Sequence, residues 1–408
     1  VGTFKTTPNA VGIGMFDFSS IVESFVNADN LGATNSEYKA QTFTDGQIPL
    51  HLINKFSTND NTLRYLVVEF NIEGATTLNG NVTLINEKKV SDNFAIFNGY
   101  LKHSDSLSII AGHFGYKMLD FNMNSLGGRF LTNAPTTQYA NIEDYGTLSF
   151  MATPTTTIPV DTTVDNLYIR YYNSSGGSIT TDNIDNRIVN GGFDAWDSKA
   201  KNQLLHIGCF PGNLRNWDSN IQAAMGADLS FYTVELRNLS NAVISETVTI
   251  NINCPTLKGF EPIRLTWLNQ WGAWDYYTFN MKSTKSISTK GSTYQQMEGT
   301  WNKSRYQVNG YKGGKKSFRV NATEKIQMNT EFVSEAESEW FEELINSPEI
   351  YIIKGYQSIT SSTQLLNDYI TPVRLTTSSY TKKTVANDKL MQYTFEVEKS
   401  KTLRTQAV

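Results

Sequence analysis

The segment GYKGGKKS at Gly310–Ser317 resembles a phosphate-binding loop in composition. Such a loop needs glycine and lysine at fixed spacing, because its backbone amides surround the phosphate at the start of a helix. Asn309 stands where the first glycine is required, a second lysine separates Lys315 from Ser317, and a strand pattern follows. The sequence therefore predicts that this segment is not a nucleotide-binding loop.

A second segment begins like a calcium-binding loop, with Asp120, Asn122 and Asn124 at alternate positions. A calcium loop also needs a glycine for its sharp turn and a bidentate glutamate at its end. Ser125 replaces that glycine, and Leu131 stands where the glutamate is required. The sequence therefore predicts no calcium site here.

Histidine, cysteine and serine give no catalytic or metal-binding pattern either. None of the histidines has a spacing typical of metal ligands, which favours structural roles for His51, His103, His113 and His206. Cys209 and Cys254 lie in apolar runs typical of buried strands, so we expect two inert core thiols rather than a disulfide. A Gly-x-Ser-x-Gly nucleophile motif is absent. The sequence predicts no catalytic residue, no cofactor and no metal ion.

Two pairs of carboxylates flank a glycine-rich turn, namely Asp182 with Asp185 and Asp194 with Asp197. A glycosidase uses two carboxylates on either side of the bond that it cleaves. Carboxylates so close in sequence and in polar segments are more typical of turns. A polysaccharide hydrolase therefore stays an alternative that the sequence does not favour.

Cations and aromatic rings alternate between residues 301 and 319. The cations are Lys303, Arg305, Lys312, Lys315, Lys316 and Arg319, and the rings are Trp301, Tyr306 and Tyr311. Such a mixture can contact the backbone and bases of a nucleic acid. A solvated loop or a patch at a subunit interface is the more common structure for such a segment, and the residue types leave these interpretations open.

Aromatic residues concentrate in Phe260–Phe279, which contains Trp267, Trp271 and Trp274. Its first half alternates like a strand with one buried face, and Gly272 marks a turn before a second aromatic strand. We therefore predict an aromatic hairpin at 260–279 in the core of the second half of the chain. The alternative is a platform of exposed rings that stack on sugar or nucleic acid.

One helix is predicted, over residues 335–345. Ser334 and Glu337 form a capping box, in which the hydroxyl accepts from the third amide and the carboxylate reaches back. Trp340 and Phe341 begin an apolar stripe, and Pro348 prevents continuation of the helix.

The rest of the chain predicts a mainly β fold built from antiparallel sandwich or barrel domains. Short apolar runs recur with turn signals between them, as in the strand predicted at Leu63–Glu73 and the hairpin turn at Asn79–Gly80. A polar stretch near residue 200 predicts a boundary between an N-terminal β-sandwich domain, residues 1–200, and a C-terminal β domain, residues 201–408.

Charge is distributed unevenly along the 408 residues. Residues 1–250 contain 15 Lys and Arg against 24 Asp and Glu, whereas residues 251–408 contain 20 against 15. Opposite signs on the two halves suit contacts between subunits. The sequence has no apolar run of membrane-spanning length and no signal-peptide pattern at its N-terminus, so we expect synthesis in the cytoplasm and no membrane insertion.

Several sequence blocks resemble a known group of proteins. The blocks are WLNQWGAWDYYTF at Trp267–Phe279, TEFVSEAESEWFEELINSPEIYI at Thr330–Ile352, YITPVRLTTSSYTKKTVANDKLMQYTFEVEKS at Tyr369–Ser400, GRFLTNAP at Gly128–Pro135 and YGTLSF at Tyr145–Phe150. They are similar to blocks of β-rich virion proteins from phages of Bacteroidota, including crAss-like phages, and of marine bacteria. The resemblance is scattered over about two thirds of the chain, and these blocks carry no known catalytic residues.

The resemblance implies a non-enzymatic structural protein of the virion, in the tail or neck. We therefore predict a subunit whose copies join laterally into a ring through β contacts. Its expected partners are other copies of itself, other tail, neck or capsid proteins and, in passing, packaged DNA. The alternative is a receptor- or glycan-binding adhesin of the virion, in which exposed rings such as Trp271 would contact the glycan.

Overall fold

The protein is described by a computed structural model, and the residues it describes are 3–27, 50–53, 56–58, 62–75, 77, 79–85, 88–91, 94–100, 123, 128–151, 164–186, 204–215, 219–253, 259–302, 304–354, 370–382, 391–401 and 403–407. The fold is mainly β, as the sequence predicts.

The elements are numbered here in chain order. The helices are α1 (Ser19–Glu23), α2 (Pro211–Arg215), α3 (Ser219–Gly226) and α4 (Glu335–Asn346), with a short 3-10 helix at Leu50–Leu52. The strands are β1 (Phe56–Thr58), β2 (Leu63–Leu66), β3 (Glu69–Phe70), β4 (Glu73–Gly74), β5 (Thr83–Leu84), β6 (Lys89–Val90), β7 (Phe94–Phe97), β8 (Thr137–Asn141), β9 (Thr147–Met151), β10 (Val164–Asn173), β11 (Ser178–Asp185), β12 (Leu204–Gly208), β13 (Leu229–Asn238), β14 (Val248–Asn253), β15 (Ile263–Leu268), β16 (Trp274–Phe279), β17 (Ser283–Gln296), β18 (Gly299–Asn302), β19 (Arg305–Val308), β20 (Gly314–Asn329), β21 (Ile350–Ile353), β22 (Ile370–Leu375), β23 (Thr394–Lys399) and β24 (Arg404–Ala407).

Two sheets and two helices enclose the first core. One sheet has the order β11-β10-β13-β14-β8, antiparallel except for the β14–β8 pair, and the other has the order β1-β12-β9. Alternate residues of β10 and β13, such as Ile169 and Val234, point into this core and are fully buried. Leu214 of α2 and Ile221 of α3 belong to the same cluster.

The strand pairing in these two sheets crosses the boundary predicted at residue 200. Strand β12 pairs with β9, and β13 pairs with β10, so both sheets contain strands from before and after that residue. A polar connection between strands of one sheet has the same composition as a linker between domains. Residue 200 therefore does not separate two sets of sheets.

A third sheet carries the second core. Its order is β16-β15-β21-β22-β23-β20-β17, and β24 pairs with β20 as well. Helix α4 covers this sheet with Trp340, Phe341 and Leu344, which contact the apolar face formed by residues such as Trp267 and Phe395. The predicted helix and its capping box at Ser334 are thus confirmed. The sequence analysis predicts one helix, and the described residues contain three further short ones, α1, α2 and α3.

The aromatic hairpin is confirmed as β15 and β16, but the prediction of a single buried face is wrong. All six residues of β15 are buried, including Arg264 and Thr266, which the alternation placed toward solvent. The second face of β15 is buried because it packs toward the first core, where Arg264 lies over the ring of Phe210. At the turn, Gly272 has φ +72°, and an added Cβ would lie 2.8 Å from the carbonyl oxygen of Asn98.

Two long hairpins extend from these cores, with buried residues such as Leu63 and Met328 at their bases. The N-terminal hairpin, residues 63–97, consists of the successive pairs β2–β7, β3–β6 and β4–β5 and turns at Asn79, which has φ +63°. The basic hairpin, residues 283–329, pairs β17 with β20 and ends in the small sheet β18–β19. The strand predicted at Leu63–Glu73 is therefore found as three short pieces, most of whose side chains are at least partly exposed.

Candidate assembly and binding surfaces

The cations singled out from the sequence lie at the outer end of the basic hairpin. Arg305 is on β19, Lys312 is in the turn before β20, and the remaining described cations, Lys315, Lys316 and Arg319, are on β20. All are exposed except Lys312, which is partly covered. Lys303 lies outside the described residues. The structure thus brings five of the six cations together on one projecting element.

These five cations are balanced by few acidic groups. In the described part of the chain none of them forms an ion pair with a carboxylate, in contrast to Lys285 at the base of the hairpin, which pairs with Glu261. Their polar contacts are to neutral atoms: Lys316 Nζ donates to the carbonyl oxygen of Tyr311 at 3.3 Å, and Arg319 Nε donates to Asn321 Oδ1 at 3.1 Å.

The β18–β19 sheet presents an apolar face at the end of the hairpin. Trp301 and Tyr306 are direct cross-strand partners with ring centroids 5.6 Å apart, and Val308 lies on the same face two residues on. Trp301 is 73% exposed and Val308 67%. The Tyr306 hydroxyl accepts from the Gly299 amide at 2.9 Å, which fixes its ring across the glycine. These side chains are held in place yet uncovered.

All four tryptophans assigned to the core are buried, so the core interpretation is confirmed and the exposed platform is wrong. Trp274 belongs to the first core, and Trp267 and Trp340 belong to the second. Trp271 belongs to a third, smaller cluster with Leu63, Leu131, Met151, Leu204 and Ala273. The aromatic hairpin therefore joins three cores. The alternative of an adhesin that contacts a glycan through Trp271 therefore loses its main support, because this residue is only 7% exposed.

A buried carboxylate connects the turn of this hairpin to helix α4. Asp275 accepts from Thr132 Oγ1 at 2.6 Å, from Asn269 Nδ2 at 3.0 Å and from Trp340 Nε1 at 2.7 Å. Burial raises the pKa of Asp275 to about 6, although the three donors act in the opposite direction. Because both carboxylate oxygens are occupied by internal donors, this group acts as a structural tie.

A buried cation performs the same role on the other side of β15. Arg264 Nη1 donates to Thr278 Oγ1 at 2.8 Å and lies 3.3 Å from Asp144 Oδ2, which also accepts from Thr278. Desolvation lowers the pKa of Arg264, and Asp144 opposes that change. The alternation in the sequence does not reveal this ion pair, because an arginine fits the polar positions of the pattern whether it is buried or exposed to solvent.

The described histidines and cysteine have the structural roles that the sequence predicts. His51 Nδ1 lies 2.8 Å from the Tyr276 hydroxyl, and His206 Nδ1 lies 2.7 Å from Ser149 Oγ. Burial lowers both histidine pKa values to about 3, so neither ring is protonated at neutral pH. Burial raises the pKa of Cys209 to about 12 and leaves an inert thiol. His103, His113 and Cys254 lie outside the described residues.

The described residues offer few other candidates for a functional site. They contain no group of three or more His, Cys, Asp or Glu side chains placed to hold a metal ion. A groove of about 290 Å³ between the end of α4 and β22 is lined by residues such as Pro348, Pro372 and Arg374. None of the helices among these residues is long and apolar enough to span a membrane. The two exposed hairpins are therefore the candidate functional surfaces.

Comparison with known families, curated proteins and solved structures gives no match to this chain.

Proposed function

We propose that this chain is a non-enzymatic structural protein of a phage virion, a component of the tail or neck, whose copies join laterally into a ring. Two lines of support are independent of each other. The sequence blocks that resemble virion proteins suggest the setting, and the exposed hairpins provide surfaces for contact between copies.

The main support for this proposal is the exposed apolar surface of the N-terminal hairpin. Leu84 and Ile85 are neighbours in the chain and are 62% and 60% exposed, so apolar side chains point to both faces. Phe70, Ile72 and Val90 are also about half exposed. Soluble monomers rarely expose contiguous apolar surface of this kind, and such surface is typical of protein interfaces. A neighbouring copy would bury it.

The edge of the third sheet offers a second contact. Within the described residues β17 pairs with β20 alone, so the other edge of this 14-residue strand has unpaired backbone amides and carbonyls. A strand from another copy can complete such an edge by β-augmentation.

The distribution of charge favours contacts between unlike surfaces. A ring with cyclic symmetry needs two different, complementary surfaces on each subunit. The acidic first 250 residues and the basic remainder provide such a difference. Lateral contacts between unlike halves would repeat around the ring and close it.

The test replaces apolar side chains of the N-terminal hairpin by threonine, as Ile72→Thr, Leu84→Thr and Ile85→Thr together. Threonine is β-branched and so suits a strand, but it has less apolar surface than isoleucine or leucine. By light scattering after size exclusion, the unchanged protein is expected to have a mass several times 45.8 kDa. The triple variant is expected to be a folded monomer that keeps a single cooperative unfolding transition, with a melting temperature lowered only by the loss of assembly.

The matched control carries Leu239→Thr and Val243→Thr, which remove exposed apolar side chains from a turn next to the five-stranded sheet. This variant is expected to keep the oligomeric mass. A triple variant that keeps the same mass as the unchanged protein would contradict the role of the N-terminal hairpin.

A further inference from the structure

We infer that the outer end of the basic hairpin binds duplex DNA, with the two-stranded ribbon lying in a groove and its cations contacting phosphates. The inference goes beyond the ring proposed above and rests on the outer end of the basic hairpin, not on the N-terminal hairpin that supports that proposal.

The first argument is unbalanced charge. Residues 283–329 contain nine Lys and Arg against two Asp and Glu. Between Lys290 and Arg319 the only acidic residue is Glu298, and the described cations in that stretch have no carboxylate partner among the described residues. Exposed cations held so close together create a positive surface potential that attracts molecules with many negative charges. A polyanion is therefore the kind of partner that this surface suits.

The second argument is how these cations are arranged around the ribbon. Direct cross-strand partners share a face, so the pairs Ser292–Arg319 and Tyr294–Lys316 place Arg319 and Lys316 on one face. The pair Gln295–Lys315 lies on the opposite face. A flat protein surface could meet only one of these faces. The two phosphate strands that border a DNA groove can meet both.

The third argument is size. Strand β17 has 14 residues, and at about 3.3 Å per residue the hairpin is about 45 Å long. The major groove of B-DNA is about 12 Å wide and admits a two-stranded β-ribbon. The hairpin can therefore enter a groove while the body of the subunit stays outside it.

The composition of the surface also separates DNA from a second copy of the chain as the partner. Lysine is depleted in the centres of protein interfaces, where aromatic rings and arginine prevail. Here lysines flank the tip, and lysine suits phosphate as a point charge. Trp301 and Tyr306 provide an apolar face that can rest against the sugar or base edges.

The experiment measures binding of the full chain to a fluorescein-labelled 24-base-pair duplex by fluorescence anisotropy at about 50 to 200 mM salt. The slope of log affinity against log salt is about −0.9 for each phosphate contact. If five cations make contacts, affinity is expected to fall about 500-fold over this range. For the variant Lys315→Gln with Lys316→Gln, the fall is expected to be about 40-fold, because two contacts are lost.

The matched control is Lys354→Gln with Lys382→Gln, two lysines that lie outside both exposed hairpins. Of this pair, Lys382 already forms an ion pair with Glu342, so these substitutions are expected to leave both the affinity and its salt dependence unchanged. A single strand of the same sequence has no groove and is expected to bind more weakly than the duplex.

Three outcomes would overturn the inference. The unchanged protein could fail to bind the duplex at 50 mM salt, or the two lysine pairs could have equal effects. Alternatively, Lys315→Gln with Lys316→Gln could lower the oligomeric mass and leave DNA binding unaltered, which would assign the tip to a second copy. Oligomeric mass and DNA binding are separate readouts, so failure of one proposal is distinguishable from failure of the other.

Discussion

The aromatic hairpin and the basic hairpin follow one another in the chain and belong to the same sheet, yet their surroundings are opposite. Strands β15 and β16 are buried on both faces between two cores, whereas most residues of β17 and the outer part of β20 are exposed. Both elements are β-hairpins, but the first is buried inside the protein and the second is largely exposed to solvent. We therefore propose that the first hairpin contributes mainly to stability and the second mainly to contacts with other molecules.

The sharpest way to test this difference is a pair of tryptophan substitutions. Trp267→Ala removes a fully buried ring that packs against Trp340, and we expect a loss of about 3–5 kcal/mol in the free energy of unfolding. Trp301→Ala removes an exposed ring, and we expect a change of less than about 0.5 kcal/mol. Denaturant unfolding measures both. Equal losses for the two variants would contradict the assignment of separate roles.

An arginine pair makes the second test. Arg264→Met leaves the buried carboxylate of Asp144 without its cation, and we expect a loss of about 3 kcal/mol. Arg319→Met at an exposed site is expected to change stability by less than about 0.5 kcal/mol. Thermal unfolding of the two variants gives the comparison. If Arg264→Met unfolds at the temperature of the unchanged protein, the buried ion pair does not stabilise the aromatic hairpin.

The third prediction concerns pH and Asp275. Burial raises its pKa in the folded chain from 3.8 to about 6, so the folded state keeps a proton that the unfolded state has already lost. Stability is therefore expected to fall by about 2–3 kcal/mol as the pH rises from about 4 to about 6, and to level off above. Denaturant unfolding in this range measures the change.

The control for this pH dependence is Asp275→Asn, which has no proton to lose. In this variant the change in the free energy of unfolding that Asp275 causes between pH 4 and 6 is expected to be absent. The difference in free energy of unfolding between the variant and the unchanged protein should therefore vary with pH. A difference that stays constant over the range would show that Asp275 does not titrate there.

Local signals in the sequence were sufficient for several elements. The capping box at Ser334 and the apolar stripe of α4 predicted that helix almost to the residue, because all the relevant contacts lie within one turn. The turn predicted at Asn79–Gly80 is also found, since Asn-Gly tolerates the positive φ that Asn79 adopts. In these elements the residues that contact one another are close in sequence, or the local composition alone favours one structure.

Other features depend on contacts that sequence alone does not specify. The burial of Arg264 depends on Asp144, 120 positions earlier in the chain. The pairing of β10 with β13 across residue 200 also joins distant parts of the chain, such as Ile169 and Val234. The sequence leaves the basic hairpin open as a nucleic-acid contact, a solvated loop or an interface patch, because a ribbon exposed on both faces needs no apolar alternation and so shows no clear strand pattern.

The central claim is that copies of this chain bury one another's exposed N-terminal hairpins. Negative-stain imaging with native mass spectrometry of the purified protein tests it most directly. The claim predicts annular particles and a single mass that is a whole multiple of 45.8 kDa. Particles of one chain at every concentration, with no closed assembly, would contradict it.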